Sequence, residues 1–240
     1  MVNWYQSGKR KAGGFFSVVV AWSLFILLST LSLSVRAADL KIGIIAFDDV
    51  LTSDITAPIE VFGAASKKAW FSDYEVIVIS ATKSKALESE EGLKILADNT
   101  IYDALALDVL IVPSAYDMSP YLKSADLIGF IQRQGEKASW MASNCSGALL
   151  LGEAGILDGK KATTWAGGEK NLVKSYPAVR VQYDQNVVID EGVITSNGGP
   201  VSYQAAFELL AKLSSEPFAK EISEQIQFNR LKRAFLNAST

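Results

Sequence analysis

The feature that most constrains the fold is a polar turn at residues 143–147, set between two apolar runs. The preceding run, 138–142, is typical of a buried strand, and the following run, 148–155, is typical of a helix that ends at a glycine. A strand that turns sharply into a helix around a nucleophilic side chain is a nucleophile elbow, and Gly147 supplies the small residue that such a turn needs. The pattern therefore predicts that Cys145, the single cysteine of the chain, lies at the end of a central strand.

The predicted position of Cys145 has a chemical consequence. A thiol at a helix N-terminus is close to unpaired backbone N–H groups and to the positive end of the helix dipole, and both favour the reactive thiolate. We therefore expect Cys145 to be a nucleophile with a lowered pKa. The alternative is that Cys145 is only a small buried hydrophobic residue, as lone cysteines often are.

The first 37 residues have the pattern of a secretory signal peptide. A basic stretch at 9–11 precedes an apolar stretch at 15–35, and small residues lead to a cleavage site after Ala37. An uncleaved membrane anchor is the alternative, because about 20 apolar residues can span a bilayer. Either interpretation predicts an exported protein, periplasmic or extracellular, that contacts a membrane only through residues 15–35.

The remaining residues, 38–240, have the length and composition of one domain. All 26 acidic residues lie in this part, whereas four of the 23 basic residues precede it. That acidic balance argues against a nucleic-acid partner. The chain contains no histidine, which excludes Cys-His and Ser-His-Asp catalysis and histidine-ligated metals. With one cysteine, no internal disulfide or thiolate cluster can form, so we expect neither a metal nor a cofactor.

Strand patterns alternate with helix patterns along this domain. Such alternation predicts an α/β fold, with a doubly wound, mostly parallel sheet covered by helices on both faces. The predicted strands are 40–47, 74–80, 108–113, 138–142 and 193–196, with a further pair formed by 179–183 and 187–190; the predicted helices include 55–65, 125–134, 169–175, 200–213 and 218–236.

The residues that could take part in catalysis lie at the carboxyl ends of three predicted strands. Open α/β sheets bind ligands at that edge. Backbone N–H groups of Ser114, Ala115 and Ser146 are candidates for an oxyanion hole next to Cys145. Asp54 is a candidate acid or base that exchanges a proton with the cysteine sulfur. The alternative for Asp54 is an N-cap of the helix that follows it.

Two stretches resemble the DJ-1/PfpI superfamily, the class I glutamine amidotransferase-like proteins. Residues 145–164 are similar to its C-T-G-A-x-x-L-A-x-A-G-L-L-D-G-x-x-A-T-T pattern, and residues 54–62 are similar to D-x-x-G-P-x-E-V-F. The resemblance is nearest to the subfamily of isonitrile hydratases and AraC-type ligand domains. It implies a flavodoxin-like domain at 38–240, a homodimer, Cys145 as nucleophile and Asp54 as its acidic partner, with Ser146 where isonitrile hydratases have threonine.

Two departures from the family pattern affect the site. Trp165 stands where the family often has histidine, and Pro113-Ser114-Ala115 replaces a Pro-Gly-Gly loop. The pocket around the cysteine is therefore expected to contain Ser114, Ala115, Gly147 and Trp165.

Two functional hypotheses remain open. The first is an exported, cysteine-dependent hydratase or hydrolase that acts on a small molecule without any histidine. The second is a non-catalytic envelope protein that binds a small ligand or senses oxidants through Cys145.

Overall fold

A seven-stranded sheet forms the centre of the domain in the computed structural model, which describes residues 40–68 and 74–231. The predicted signal or anchor segment, 1–37, lies outside these residues. The strands are β1 (Leu40–Ala46), β2 (Tyr74–Ser80), β3 (Ala86–Glu88), β4 (Lys94–Leu96), β5 (Asn99–Thr100), β6 (Val109–Val112), β7 (Trp140–Asn144), β8 (Lys161–Ala162), β9 (Arg180–Val181), β10 (Val187–Asp190) and β11 (Val193–Ser196). The helices are α1 (Thr52–Lys68), α2 (Ser119–Leu122), α3 (Ala125–Gly135), α4 (Gly147–Glu153), α5 (Glu169–Ser175), α6 (Val201–Leu213) and α7 (Glu216–Gln225).

The strand order is β10-β11-β7-β6-β1-β2-β5, and every neighbouring pair is parallel except β10 with β11. All four residues of β6 are buried, as are the last five of β1. Such continuous apolar runs are typical of parallel strands that are covered on both faces. The predicted doubly wound α/β fold is confirmed.

The parallel register brings several polar loops to one edge of the sheet. Because β1, β6, β7 and β11 run in the same direction, their carboxyl ends meet there. Within the registers, Val112 pairs with Ser143, and Asn144 pairs with Ser196. The segments after β6, β7 and β11 therefore lie side by side, next to the first turn of α1.

Two local predictions are wrong. The segments 179–183 and 187–190 do not pair with each other, because β9 is parallel to β8 whereas β10 is antiparallel to β11. The last predicted helix, 218–236, is interrupted: α7 ends at Gln225, Gln227 has a positive φ of 67°, and residues 228–231 are helical again. Among the described residues, no helix is long and apolar enough to cross a membrane.

Candidate active site

Cys145 occupies a sharp turn between β7 and α4. Its φ of 51° lies in the left-handed region, which costs a non-glycine residue about 1–3 kcal/mol. Neighbouring groups hold this conformation: the Cys145 N–H donates to the Ser196 carbonyl at 3.0 Å, and the Cys145 carbonyl accepts from Thr164 Oγ1 at 2.9 Å. The half-buried thiol is therefore fixed at the end of β7, as an elbow requires.

Gly147 allows α4 to begin close to the neighbouring strand. A methyl group at this position would lie 2.3 Å from the Val112 carbonyl oxygen and 2.7 Å from the Pro113 carbonyl oxygen. Both contacts are with backbone atoms, so a larger residue would push the elbow away from the end of β6. The glycine predicted in the turn thus lets α4 begin close to the end of β6, which positions Cys145.

Asp54 lies in the first turn of α1 and is completely buried. Its Oδ2 accepts hydrogen bonds from Ser114 Oγ at 2.5 Å and from the Ser114 N–H at 3.2 Å. Its Oδ1 accepts from the Gly199 N–H and from Ser202 Oγ, both at 2.9 Å. These donors come from other parts of the chain, and α1 already begins at Thr52, so the N-cap interpretation of Asp54 is wrong.

Burial controls the protonation of Asp54. Removal of the carboxyl from water raises its pKa above the ordinary value of 3.8, although the hydrogen bonds from Ser114, Gly199 and Ser202 oppose this shift. A buried carboxyl with a raised pKa retains a proton more readily than a surface carboxyl. Asp54 therefore has the properties of an acid that can both hold and release a proton.

Gly198 lies between the carboxylate and the cysteine. A methyl group on Gly198 would be 2.3 Å from Cys145 Cβ and 3.0 Å from Asp54 Oδ1, and the φ of 77° further favours glycine here. The two functional side chains are thus neighbours across this glycine. Asn144 Nδ2 also donates to the Asp54 carbonyl at 2.9 Å, which ties the elbow strand to α1.

The expectation that the Cys145 pKa is lowered is wrong. Burial of the thiol raises its pKa, and the negative charge of Asp54 adds to this effect. The Ser114 hydroxyl and the N–H and hydroxyl of Ser146, which lie near the sulfur, oppose the increase without cancelling it. At rest the sulfur therefore keeps its proton.

Two of the three predicted oxyanion donors point elsewhere. The Ser114 N–H donates to Asp54, and the Ala115 N–H donates to Met118 Sδ at 3.1 Å. The Ser146 N–H is the one that faces the thiol, while the Ser146 hydroxyl also donates to the Ala115 carbonyl at 3.1 Å. Ser146 is therefore the remaining candidate to stabilise negative charge that develops near the sulfur.

Trp165 directly follows Thr164, which is hydrogen-bonded to the elbow. Thr164, which donates to the Cys145 carbonyl, also accepts a hydrogen bond from Asn197 Nδ2. The half-buried Trp165 ring packs on Gly168, where an added methyl group would lie 2.1 Å from the indole. The residue at the family's histidine position is therefore an apolar surface and offers no base.

Sequence reasoning missed the segment after β11. Gly199 and Ser202 provide both hydrogen bonds to Asp54 Oδ1, and Ser196 Oγ donates to Asn144 Oδ1 at 2.7 Å. The available signal was the Gly198-Gly199 pair at the carboxyl end of a predicted central strand. Across residues 40–68 and 74–231, no group of three or more acidic, cysteine or histidine side chains is arranged to hold a metal.

Comparison with known proteins agrees with this fold. A sequence model of the DJ-1/PfpI family matches residues 40–212. An isonitrile hydratase from Pseudomonas putida is 29% identical over 190 residues, covering 79% of this chain and 78% of that protein. Among solved structures, a ThiJ/PfpI family protein from Pseudomonas syringae has a TM-score of 0.71 at 23% identity, covering 79% of this chain and 75% of that one. DJ-1beta from Drosophila melanogaster has a TM-score of 0.68 at 19% identity, covering 79% and 98%. The chain belongs to the DJ-1/PfpI family.

Proposed function

We propose that the protein is a cysteine-dependent hydratase that adds water to a small isonitrile. The observation that carries this proposal is the strained, half-buried Cys145 beside Asp54, a fully buried acid with a raised pKa. A thiol near a buried acid can attack a carbon atom while the acid supplies or accepts the proton, without a histidine. The similarity to an isonitrile hydratase supports the choice of substrate class.

The proposed reaction has two stages. In the first, the sulfur attacks the terminal carbon of the isonitrile while Asp54 delivers a proton to that carbon, which gives a thioimidate on Cys145. In the second, water adds to the same carbon, the carbon–sulfur bond breaks, and an N-substituted formamide leaves as the thiol is restored. The sum is hydration, so the reaction needs no oxidant, reductant or cofactor.

Ser146 has a supporting role in this proposal. Its N–H faces the Cys145 sulfur, whereas its hydroxyl donates to the Ala115 carbonyl. Negative charge moves from the sulfur toward the substrate during attack, and fixed donors at that position lower the barrier.

The oxidant-sensing form of the non-catalytic alternative fits the site less well. An oxidant sensor needs a thiolate at rest, because the thiolate is the form that peroxide oxidises. Burial and the charge of Asp54 both raise the pKa of Cys145, which disfavours that form. An arrangement that generates the thiolate only during reaction is typical of an enzyme.

The test is product formation from a panel of alkyl and aryl isonitriles in water enriched in oxygen-18. Mass spectrometry should detect the corresponding formamides carrying one labelled oxygen with the wild type, and none with Cys145→Ala. Absence of labelled formamide with every isonitrile, from a folded protein whose Cys145 can be alkylated, would rule out the proposed activity.

Export and self-association complete the proposal. We infer from the basic and apolar N-terminal pattern that the chain is exported, and by resemblance to the family that it is a homodimer. Cell fractionation with N-terminal sequencing should locate the protein outside the cytoplasm, with Ala38 as first residue if the segment is cleaved. A light-scattering measurement that gives only the monomer mass would rule out the homodimer.

A further inference from the structure

The proline in α1 frees the backbone carbonyl of Asp54. In a regular α-helix this carbonyl accepts from the N–H four residues further along, which here belongs to position 58. Position 58 is a proline inside α1, and proline has no N–H to donate. Asp54 is completely buried, so bulk water does not supply the missing donor. The carbonyl therefore needs a partner from another part of the chain.

Asn144, the last residue of β7, supplies that partner. Its Nδ2 donates to the Asp54 carbonyl oxygen at 2.9 Å, across 90 residues of chain, and its side chain is buried. Its Oδ1 accepts from Ser196 Oγ at 2.7 Å, and Ser196 is its register partner at the end of β11. Because Asn144 directly precedes Cys145, its amide ties the elbow to the residue that carries the acid.

The hydrogen bonds form a closed circuit that begins and ends on Asp54. Ser196 Oγ, which donates to Asn144, also accepts from the Gly198 N–H at 3.2 Å. The next N–H along the chain, that of Gly199, donates to Asp54 Oδ1 at 2.9 Å. Asn144 thus holds the Asp54 backbone directly, and it holds the carboxylate through the loop after β11.

We propose that Asn144 is a positioning residue, which sets the Asp54 carboxyl against the Cys145 sulfur by holding the carbonyl that the proline leaves free. Its amide contacts only the backbone of Asp54, so its removal takes no donor away from the carboxylate. An asparagine amide suits this task because it donates and accepts at once and carries no charge. The proposal rests on the proposed function in taking Asp54 as the acid that serves Cys145.

Gln134 provides a matched control, because it is also a buried amide that donates to a distant backbone carbonyl. Its Nε2 donates to the Leu105 carbonyl at 3.2 Å, and its own carbonyl accepts from the Ala138 N–H at 2.7 Å. Leu105 and Ala138 precede the first residues of β6 and β7, so this amide lies toward the amino ends of the strands. Gln134→Ala should therefore affect stability without moving the site.

The first measurement is the pH profile of Cys145 alkylation by iodoacetamide, which needs no substrate. Burial raises the pKa of the thiol and the charge of Asp54 raises it further, so Asp54→Asn should shift the profile to lower pH. If Asn144 positions the acid, this shift should be smaller in the Asn144→Ala background and complete in the Gln134→Ala background. Equal shifts in all three backgrounds would overturn the proposal.

The second measurement separates positioning from stability. Pro58→Ala restores a helical N–H for the Asp54 carbonyl, so it should raise the free energy of unfolding of Asn144→Ala by more than that of the wild type. The restored bond ties the carbonyl to its own helix and not to the elbow, so the alkylation shift should stay small in the double variant. Recovery of the shift together with stability would mean that Asn144 only satisfies a buried carbonyl. Equal gains in the two backgrounds would also overturn the proposal.

Isonitrile turnover gives an independent readout. Asn144→Ala should lower kcat about 10- to 100-fold with little change in KM, because misplacing a reacting group by about 1 Å can have an effect of this size. Gln134→Ala should keep the wild-type kcat, and Asn144→Ser replaces Asn144→Ala if that variant does not fold. Formamide production at the full rate by Asn144→Ala would overturn the role of Asn144 and leave the hydratase standing. A protein that makes no formamide but shows the smaller alkylation shift would overturn the hydratase and support the role of Asn144.

Discussion

Asp54 and Asp190 are both hydrogen-bonded carboxylates, yet their pKa values move in opposite directions. Asp190, at the end of β10, accepts from the Lys161 N–H at 2.7 Å and from the Arg180 guanidinium at 3.2 Å. These donors, the Lys161 N–H first, lower its pKa. Asp54 accepts four hydrogen bonds, and its pKa is nevertheless raised by burial. Burial, rather than the number of donors, therefore decides which carboxyl retains a proton.

The two regions differ in what surrounds the carboxylate. Asp190 connects the β8–β9 ribbon to the main sheet, and a charged form serves that purpose. Asp54 is enclosed by the loops after β6 and β11, beside the one thiol of the chain. A perturbed acid next to a nucleophile is the arrangement expected of a reacting site, and four experiments test the contrast.

The largest effect is expected from Cys145→Ala. Loss of the sulfur removes the nucleophile, so formamide production should fall to the uncatalysed background. The free energy of unfolding should be unchanged or slightly higher, because alanine has a similar strain at a φ of 51° and no thiol to desolvate. Isonitrile turnover followed by mass spectrometry, with circular dichroism as a folding check, measures both. Substantial turnover by this variant would show that Cys145 is not the nucleophile.

The second-largest effect on turnover is expected from Asp54→Asn, with Asp190→Asn as its control. Asp54→Asn keeps a polar group of similar size but cannot transfer a proton, so turnover should fall about 10²–10⁴-fold, the range for a lost general acid or base. Asp190→Asn, at the distant edge, should leave turnover within about twofold of the wild type, because surface substitutions away from a site have small effects. Steady-state rates of the two variants, measured side by side, make the comparison. Equal losses would mean that Asp54 is only structural.

A smaller effect is expected from alanine substitutions at two glycines, one in the Asp54 site and one outside it. Gly198 and Gly159 have positive φ values of 77° and 71°, so alanine is strained at both. An added methyl group at Gly198 would also clash with Cys145 Cβ and Asp54 Oδ1. Nothing lies within 4 Å of an added methyl group at Gly159. We expect Gly159→Ala to cost about 1 kcal/mol of unfolding free energy and Gly198→Ala about 1–3 kcal/mol more, together with loss of turnover. Urea denaturation gives these values, and equal costs would indicate that the site around Gly198 is not closely packed.

The smallest effect is on the pH dependence of stability. Because its folded pKa is raised, Asp54 contributes stability that is complete below its ordinary value of 3.8 and is lost as the pH rises through the folded pKa. Because its folded pKa is lowered, Asp190 contributes stability above 3.8 that is lost as the pH falls through the folded pKa. Relative to the wild type, Asp54→Asn should therefore become more stable as the pH rises above 3.8. Asp190→Asn should be less stable above 3.8 and approach the wild type below it. Urea unfolding over a pH series checks this contrast, and slopes of the same sign would contradict it.

Much of the architecture could be predicted from sequence because local patterns reflect burial. The continuous apolar runs at β1 and β6 indicate strands covered on both faces, and the small residue at Gly147 indicates a tight turn after Cys145. Pairing was harder to predict at the edge. There β9 and β10 are close in sequence, but each pairs with a different strand.

The site could be predicted only in part. Cys145 and Asp54 follow from local motifs, but the direction of the Cys145 pKa depends on how deeply the folded protein buries the thiol. Likewise, the Ser114 N–H could be identified as a donor from its place after β6, whereas its true acceptor, Asp54, lies 60 residues away along the chain. Long-range hydrogen bonds of this kind have no local sequence signal.

The protonation state of Asp54 tests the central claim most directly. Infrared difference spectra between the wild type and Asp54→Asn isolate the C=O stretch of this carboxyl, and Asp190→Asn provides the matching reference for an ordinary surface acid. Across a pH series, we predict that the protonated-carboxyl band of Asp54 persists above the ordinary value of 3.8, whereas the band of Asp190 is lost below it. An Asp54 carboxyl that ionises at or below 3.8 would contradict the assignment of this residue as the buried acid that exchanges a proton with Cys145.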